Sequence, residues 1–289
     1  MHLLTSEAER EKFLKDEKLI YYRLVGGLGN QLFGVSRAHL LYKELEKRVA
    51  IDVSNLDHTS PEGPEWVNWK GLEDWCVLIY SPSQINQPKN LWNLANSPEA
   101  ELKGNAHFTG WRLSLSEVES SGLFLSRQLP FPKGDKQKHT LGIHLRGGDY
   151  RNAQGIGLLS KNYYRKAINK LSIDRLETII IFTDDYEYAE SVTKHFPRHI
   201  QYEYSDLKSP LSLLTEMSNC ENFIGSNSTL SWWAAYFSQS EQTILPKPMY
   251  LQDWFADREI YLKNVLYVDR FSNALARKSS YFAWNHIRD

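Results

Sequence analysis

Cysteine is scarce. The 289-residue chain has two, Cys76 and Cys220, far apart and in no metal-ligand spacing. So few thiols fit a reducing compartment and exclude a disulfide-stapled secreted scaffold. No apolar run approaches the ~20 residues that a membrane span needs. The opening MHLLTSEAEREKFLKDEK mixes acids and bases without the apolar segment of a signal peptide. We therefore expect a cytoplasmic protein, with docking onto the inner face of a membrane left open. Excess charge is also missing. At a net charge of -1 no global field draws in nucleic acid, so an anionic ligand must be held by a local cluster. The sequence has no Asp-x-Asp, no His-Glu-x-x-His, no Walker motif and no Cys/His cluster, and we expect neither a metal nor a cofactor.

What is present has the rhythm of an α/β protein. Residues 18–25 (KLIYYRLV) read as a buried strand. GGLGN follows at 26–30, then a helical pattern over 31–47 and a strand over 48–53. Strand, glycine turn, helix, strand opens a parallel α/β unit. Residues 3–16 read as a short polar helix or an extension. Residues 54–135, rich in Trp, Asn, Ser and Pro, show no sustained period and read as loops and short helices. The polar FPKGDKQK at 131–138 marks the boundary between a domain of residues 1–135 and a domain of residues 136–289.

The rhythm returns from residue 140. Strands are expected over 140–145, 177–182, 200–204, 222–225 and 243–246. Helices are expected from the Ser160 cap to 171, up to about 195, over 210–220 and over 229–238. The tail beyond 262 carries no clear pattern.

Polar groups collect at one kind of place. Arg146, Asp184 and residues 226–229 each follow an expected strand, so parallel strands would bring all three to one carboxyl edge, where open α/β sheets bind ligands. A guanidinium binds phosphate oxygens bidentately and keeps its charge. Ser226, Asn227, Ser228 and Thr229 open a helix, whose free N–H groups attract anions; plain capping is the competing reading. Asp184 can accept from a ribose or a base edge, or close a turn. His144 can cover a ribose or phosphate, or sit satisfied in the core. In the first domain Gly27 and Gly29 let backbone approach a ligand, and Asn30 offers an amide to it or caps the helix. The nine Trp and sixteen Tyr suit either stacking or core.

Together GGLGNQLF (26–33), HLRGGDY (144–150), FTDD (182–185) and SNSTLSWWAAY (226–236) resemble, in order, the motifs of bacterial members of glycosyltransferase family 11, the inverting α-1,2-fucosyltransferases. The resemblance covers most of the chain. It departs at Gly147, where the family often has a second arginine.

The resemblance implies a GT-B fold, two Rossmann-like domains facing across a cleft. It also implies metal-independent transfer of fucose from GDP-fucose to the 2-hydroxyl of a galactose in an oligosaccharide or lipid-linked glycan. GDP-fucose would lie on the second domain and much of the acceptor on the first. Arg146 would neutralise the diphosphate with Ser228 and Thr229, Asp184 would lie near the guanosine, and Asn30 near the β-phosphate and anomeric carbon. Asp149 is the first candidate for the general base, with His144 and Asp52 behind it. Two alternatives stay open: the same fold with another linkage or donor, and a non-catalytic nucleotide- or carbohydrate-binding module.

Overall fold

The computed structural model describes residues 3–4, 19–53, 56, 72, 74–79, 107–109, 113–121, 135–153, 155–172, 175–238, 240–251 and 260–271. By internal contacts the chain divides into a unit of Met1–Phe131 and a unit of Pro132–Asp289.

The first unit holds a wholly parallel sheet in the order β1-β4-β3-β2-β5, with β1 Leu3–Leu4, β2 Leu19–Arg23, β3 Arg48–Asp52, β4 Cys76–Ile79 and β5 His107–Thr109. Helix α1, Leu28–Leu45, joins β2 to β3, and Leu32, Val35 and Ala38 on it are fully buried. It starts three residues earlier than its apolar period suggests, because Gly27 rather than Asn30 caps it. Leu3 and Leu4 pair with β4, so of the two readings of residues 3–16 the helical one does not hold at these two positions; residues 5–16 lie outside the described residues. In the stretch read as loops and short helices, helix α2, Leu115–Ser121, fits that expectation, whereas strands β4 and β5 do not.

The second unit is a six-stranded parallel sheet in the order β11-β10-β9-β6-β7-β8. Its strands are β6 Gln137–Leu145, β7 Thr178–Thr183, β8 Gln201–Tyr204, β9 Cys220–Ile224, β10 Gln242–Lys247 and β11 Leu266–Asp269. From β6 the chain winds outward to β8, returns to β9 beside β6, and winds outward the other way to β11. Read from β8, that is the 3-2-1-4-5-6 order of a Rossmann sheet. The helices are α3 Lys161–Ile168, α4 Tyr186–Thr193, α5 Pro210–Asn219 and α6 Thr229–Phe237. Leu141, Ile143, Ile179, Ile181 and Ile224 on the sheet close against Tyr163, Tyr164, Ala167 and Ala189 of α3 and α4. Trp232 and Trp233 are wholly buried, so these two indoles serve the core. The α/β expectation thus holds in each unit.

Candidate active site

Strand order, not strand direction, reverses between the parallel neighbours β6 and β9, and that switch point is where a doubly wound sheet leaves a crevice at its carboxyl edge. Register pairs Ile143 with Ile224, so Arg146 and Asn227 each stand three residues further along neighbouring strands.

Arg146 leans toward the β7 side. Its Nη1 lies 2.6 Å from Asp184 Oδ2 and its Nη2 donates to Asp149 Oδ1 at 2.7 Å. The guanidinium also stands over the Tyr150 ring, 5.2 Å from its centre. Burial pushes the Tyr150 phenol up to about 12, so it stays protonated. Asp184 and Arg146 are each about one-third exposed, whereas Asp149 is 68 % exposed.

The turn is shaped for this cluster. Asp184 Oδ1 accepts from Gly147 N at 2.8 Å. A Cβ on Gly147 would collide with Asp185, and one on Gly148 (φ +28°) with the Asp184 carboxylate. Asp185 caps α4 by accepting from Tyr188 N and receives Arg151 through Nε and Nη2 at 2.5 and 2.8 Å. Arg151 and the capping N–H hold the Asp185 carboxyl down to about 2. In this chain Asp185 occupies the space that a side chain at Gly147 would enter.

On the β9 flank the polar groups face inward. His144 is 6 % exposed; its Nδ1 lies 2.7 Å from Ser231 Oγ and 3.4 Å from Ser226 Oγ. Burial, with Arg146 adding to it, pushes the imidazole down to about 3. It is a neutral core histidine that ties β6 to the start of α6, and it is unsuited to take a proton from an acceptor at neutral pH. Ser226 is fully buried and its N–H donates to Ser231 Oγ at 2.9 Å. Asn227, also fully buried, donates through Nδ2 to the carbonyls of Ile156 and Gly157. Ser228 caps α6 by accepting from Ser231 N at 3.1 Å. Three of the four side chains at 226–229 thus build the turn, while Thr229 is partly exposed. What a ligand meets is the helix mouth, whose first-turn N–H groups carry the positive end of the dipole.

In the first unit, Asn30 is the third residue of α1 and its side chain covers Gly26: a Cβ there would lie 2.5 Å from Asn30 Nδ2. Gly26, at φ +79°, is the glycine this turn demands; Gly27 faces open space and Gly29 is buried within the helix. Asp52 is fully buried, 3.6 Å from Arg23 Nε, which removes it from a solvent-facing role. Among the described residues no three His, Cys, Asp or Glu side chains converge as metal ligands, and no helix is long and apolar enough to cross a membrane.

A doubly wound sheet whose switch point carries a guanidinium on one strand end and a helix start on the next defines an α/β protein with its polar groups collected at that edge. Its family follows from sequence: the family model for glycosyl transferase family 11 matches residues 117–269, and the chain belongs to that family. It is 25% identical to the Escherichia coli O-antigen biosynthesis glycosyltransferase WbnK over 88% of this chain and 100% of that one. It is 22% identical to an Escherichia coli alpha-1,2-colitosyltransferase over 84% of this chain and 94% of that one. Among solved structures, the fucosyltransferase NodZ from Bradyrhizobium matches with a TM-score of 0.48 at 15% identity, covering 77% of this chain and 94% of that one. The Escherichia coli heptosyltransferase WaaC with ADP matches with a TM-score of 0.49 at 12% identity, over 93% and 99% of the two chains.

Proposed function

We propose that this glycosyltransferase moves fucose from GDP-fucose to the 2-hydroxyl of a galactose in a glycan acceptor, with inversion and without a metal. The observation that carries the reading is Arg146 at the switch point, held between Asp149 and Asp184 at the end of the strand that neighbours the one leading into α6. Family membership supports glycosyl transfer, and the name of the O-antigen biosynthesis relative supports a surface-glycan acceptor.

The chemistry follows from the charges. Departure of the diphosphate leaves an oxocarbenium-like sugar and builds negative charge on the leaving group. Arg146 and the α6 N–H groups oppose that charge where it develops. In the free protein Asp149 and Asp184 occupy the guanidinium. Asp149, the more exposed of the two, yields its place to a phosphate, while Asp184 keeps the arginine aimed and faces the ribose. Asp149 thus acts first on the orientation of Arg146. Asn30, Gly27 and Gly29 enter the proposal as donor-binding residues of the first unit, and Thr229 through the helix mouth.

The test is mass-detected transfer from GDP-fucose to lactose with linkage analysis of the product. An α-1,2-fucosylated product is expected; another linkage refutes the acceptor position. A second reading keeps the site and changes the sugar, and the colitosyltransferase relative favours it. Transfer from GDP-colitose but not from GDP-fucose would establish it. Binding of GDP without transfer or hydrolysis across a galactoside panel would favour a non-catalytic module.

A further inference from the structure

Four large hydrophobic side chains stand exposed among the described residues, and three of them gather at one edge of the second sheet. Tyr186 (53% exposed) opens α4 two residues after Asp184, Tyr204 (38%) ends β8, and Leu207 (37%) follows it; the fourth, Leu266, lies at the opposite end of β11. The two tyrosine rings lie 5.5 Å apart at an interplanar angle of 42°. Exposing two large aromatic rings side by side at the ligand-binding edge of an α/β sheet leaves apolar area in water that a planar ligand would cover.

On the other flank of the switch point the described side chains pack inward. Beyond β10 and β11, Met249, Tyr250 and Arg270 are buried, and Arg270 is engaged by the carbonyls of Met249, Ile156 and Gly157. Among the described residues, a nucleotide anchored by its pyrophosphate at Arg146 can extend along the edge across Asp184 toward β8, where the exposed rings stand. We propose that Tyr186 and Tyr204 form the stacking platform for the nucleobase of the donor. Diphosphate, ribose and base then fall in order on Arg146, Asp184 and the tyrosine pair. Any base has a π-face for such a platform, so it supplies affinity, and discrimination among bases falls to polar groups around it. This inference rests on the proposed nucleotide-sugar donor and names the part of the site that takes the base.

The test is calorimetric titration of the full chain with GDP and, separately, with inorganic pyrophosphate, for the wild type, Tyr186→Ala, Tyr204→Ala and Tyr186→Phe. Stacking of one base on an aromatic ring corresponds to about tenfold in affinity. Each alanine variant is expected to weaken GDP by about that factor and leave pyrophosphate unchanged, and the phenylalanine variant to bind GDP like the wild type. Matching thermal unfolding midpoints show that the fold is kept. GDP affinity unchanged in both alanine variants overturns the platform while leaving the donor reading standing. Equal weakening of GDP and pyrophosphate also overturns it, since the change then acts through the turn. If the wild type binds ADP or UDP but not GDP, with the same dependence on the tyrosines, the platform stands and the guanosine donor falls. Binding of no nucleotide overturns both.

Discussion

Arg146 is set by its neighbours more than by its own strand. Two carboxylates and a tyrosine ring fix a side chain that is one-third exposed, so charge and geometry are separable by substitution. Arg146→Ala removes a donor aimed at the developing diphosphate charge, a loss of ~3–4 kcal/mol of transition-state stabilisation. Steady-state transfer should fall at least a hundredfold with the melting temperature unchanged; retention of more than about a tenth of the activity contradicts the role. Asp149→Asn keeps the shape and loses the clamp, and we expect less than about tenfold loss in kcat because Asp184 still holds the arginine. A loss of about a thousandfold, with disappearance of the acidic limb of the pH profile, would instead identify Asp149 as the base.

His144 gives a stability prediction. Its folded pKa lies near 3, below the ~6.5 of an exposed imidazole, so between those values the unfolded chain binds the extra proton. Its contribution is complete above ~6.5 and is lost as pH falls toward 3, by up to ~1.4 kcal/mol per pH unit. Denaturant unfolding at pH 7 and pH 5 should show a steeper loss for the wild type than for His144→Gln; equal slopes refute the buried neutral imidazole. The sequence placed Arg146, Asp184 and His144 at one edge but left the function of each open. Spacing along a strand reports which end a residue occupies. It does not report that His144 has Ser231 beneath it while Arg146 has water above it.

Among elements, the turn between β6 and α3 carries the fit. Gly147 and Gly148 pass close to Asp185 and Asp184, and Thr183 Oγ1 donates to Leu145 O at 2.8 Å, binding the ends of β6 and β7 together. Gly147→Ala forces the Asp185 cap aside; we expect ~1–3 kcal/mol of destabilisation in denaturant unfolding and a raised KM for the donor. Neutral stability would show that the turn yields freely. Elements with a buried, alternating or helical period were legible: β2, β3, β6, β7, β9 and α6 stand close to where their residues put them. Strands β4 and β5 were not. Each is four residues or fewer, and the flanking Trp- and Asn-rich chain carries no repeat that announces a strand. Their existence depends on β3 and β2 offering unpaired edges, which is a tertiary fact. The early start of α1 was hidden for a related reason: glycine at its first turn looks like a breaker until Gly27 is seen to cap it.

Over the whole molecule the charge is nearly balanced, so binding of a dianion rests on one local cluster. Metal independence belongs to the proposal and has its own check: transfer rates with and without a strong chelator should coincide, and restoration of a lost rate by Mn²⁺ would contradict it. Both cysteines are buried, and burial, with Glu216 nearby, raises the Cys220 thiol to about 12. Folded protein should therefore react slowly with a thiol reagent, and both thiols should become reactive on unfolding. Two parallel α/β units were visible as a repeated rhythm of strand, turn and helix. The strand order that makes β6 and β9 neighbours was not, because it depends on which way the chain turns after β8. That order is what sets the strand carrying Arg146 next to the strand that leads into α6, and titration of GDP into Arg146→Ala tests the consequence most directly. Affinity about a hundredfold weaker than wild type, in a protein with an unchanged melting temperature, is the expected result; equal affinity in the two proteins would contradict a pyrophosphate held at this edge.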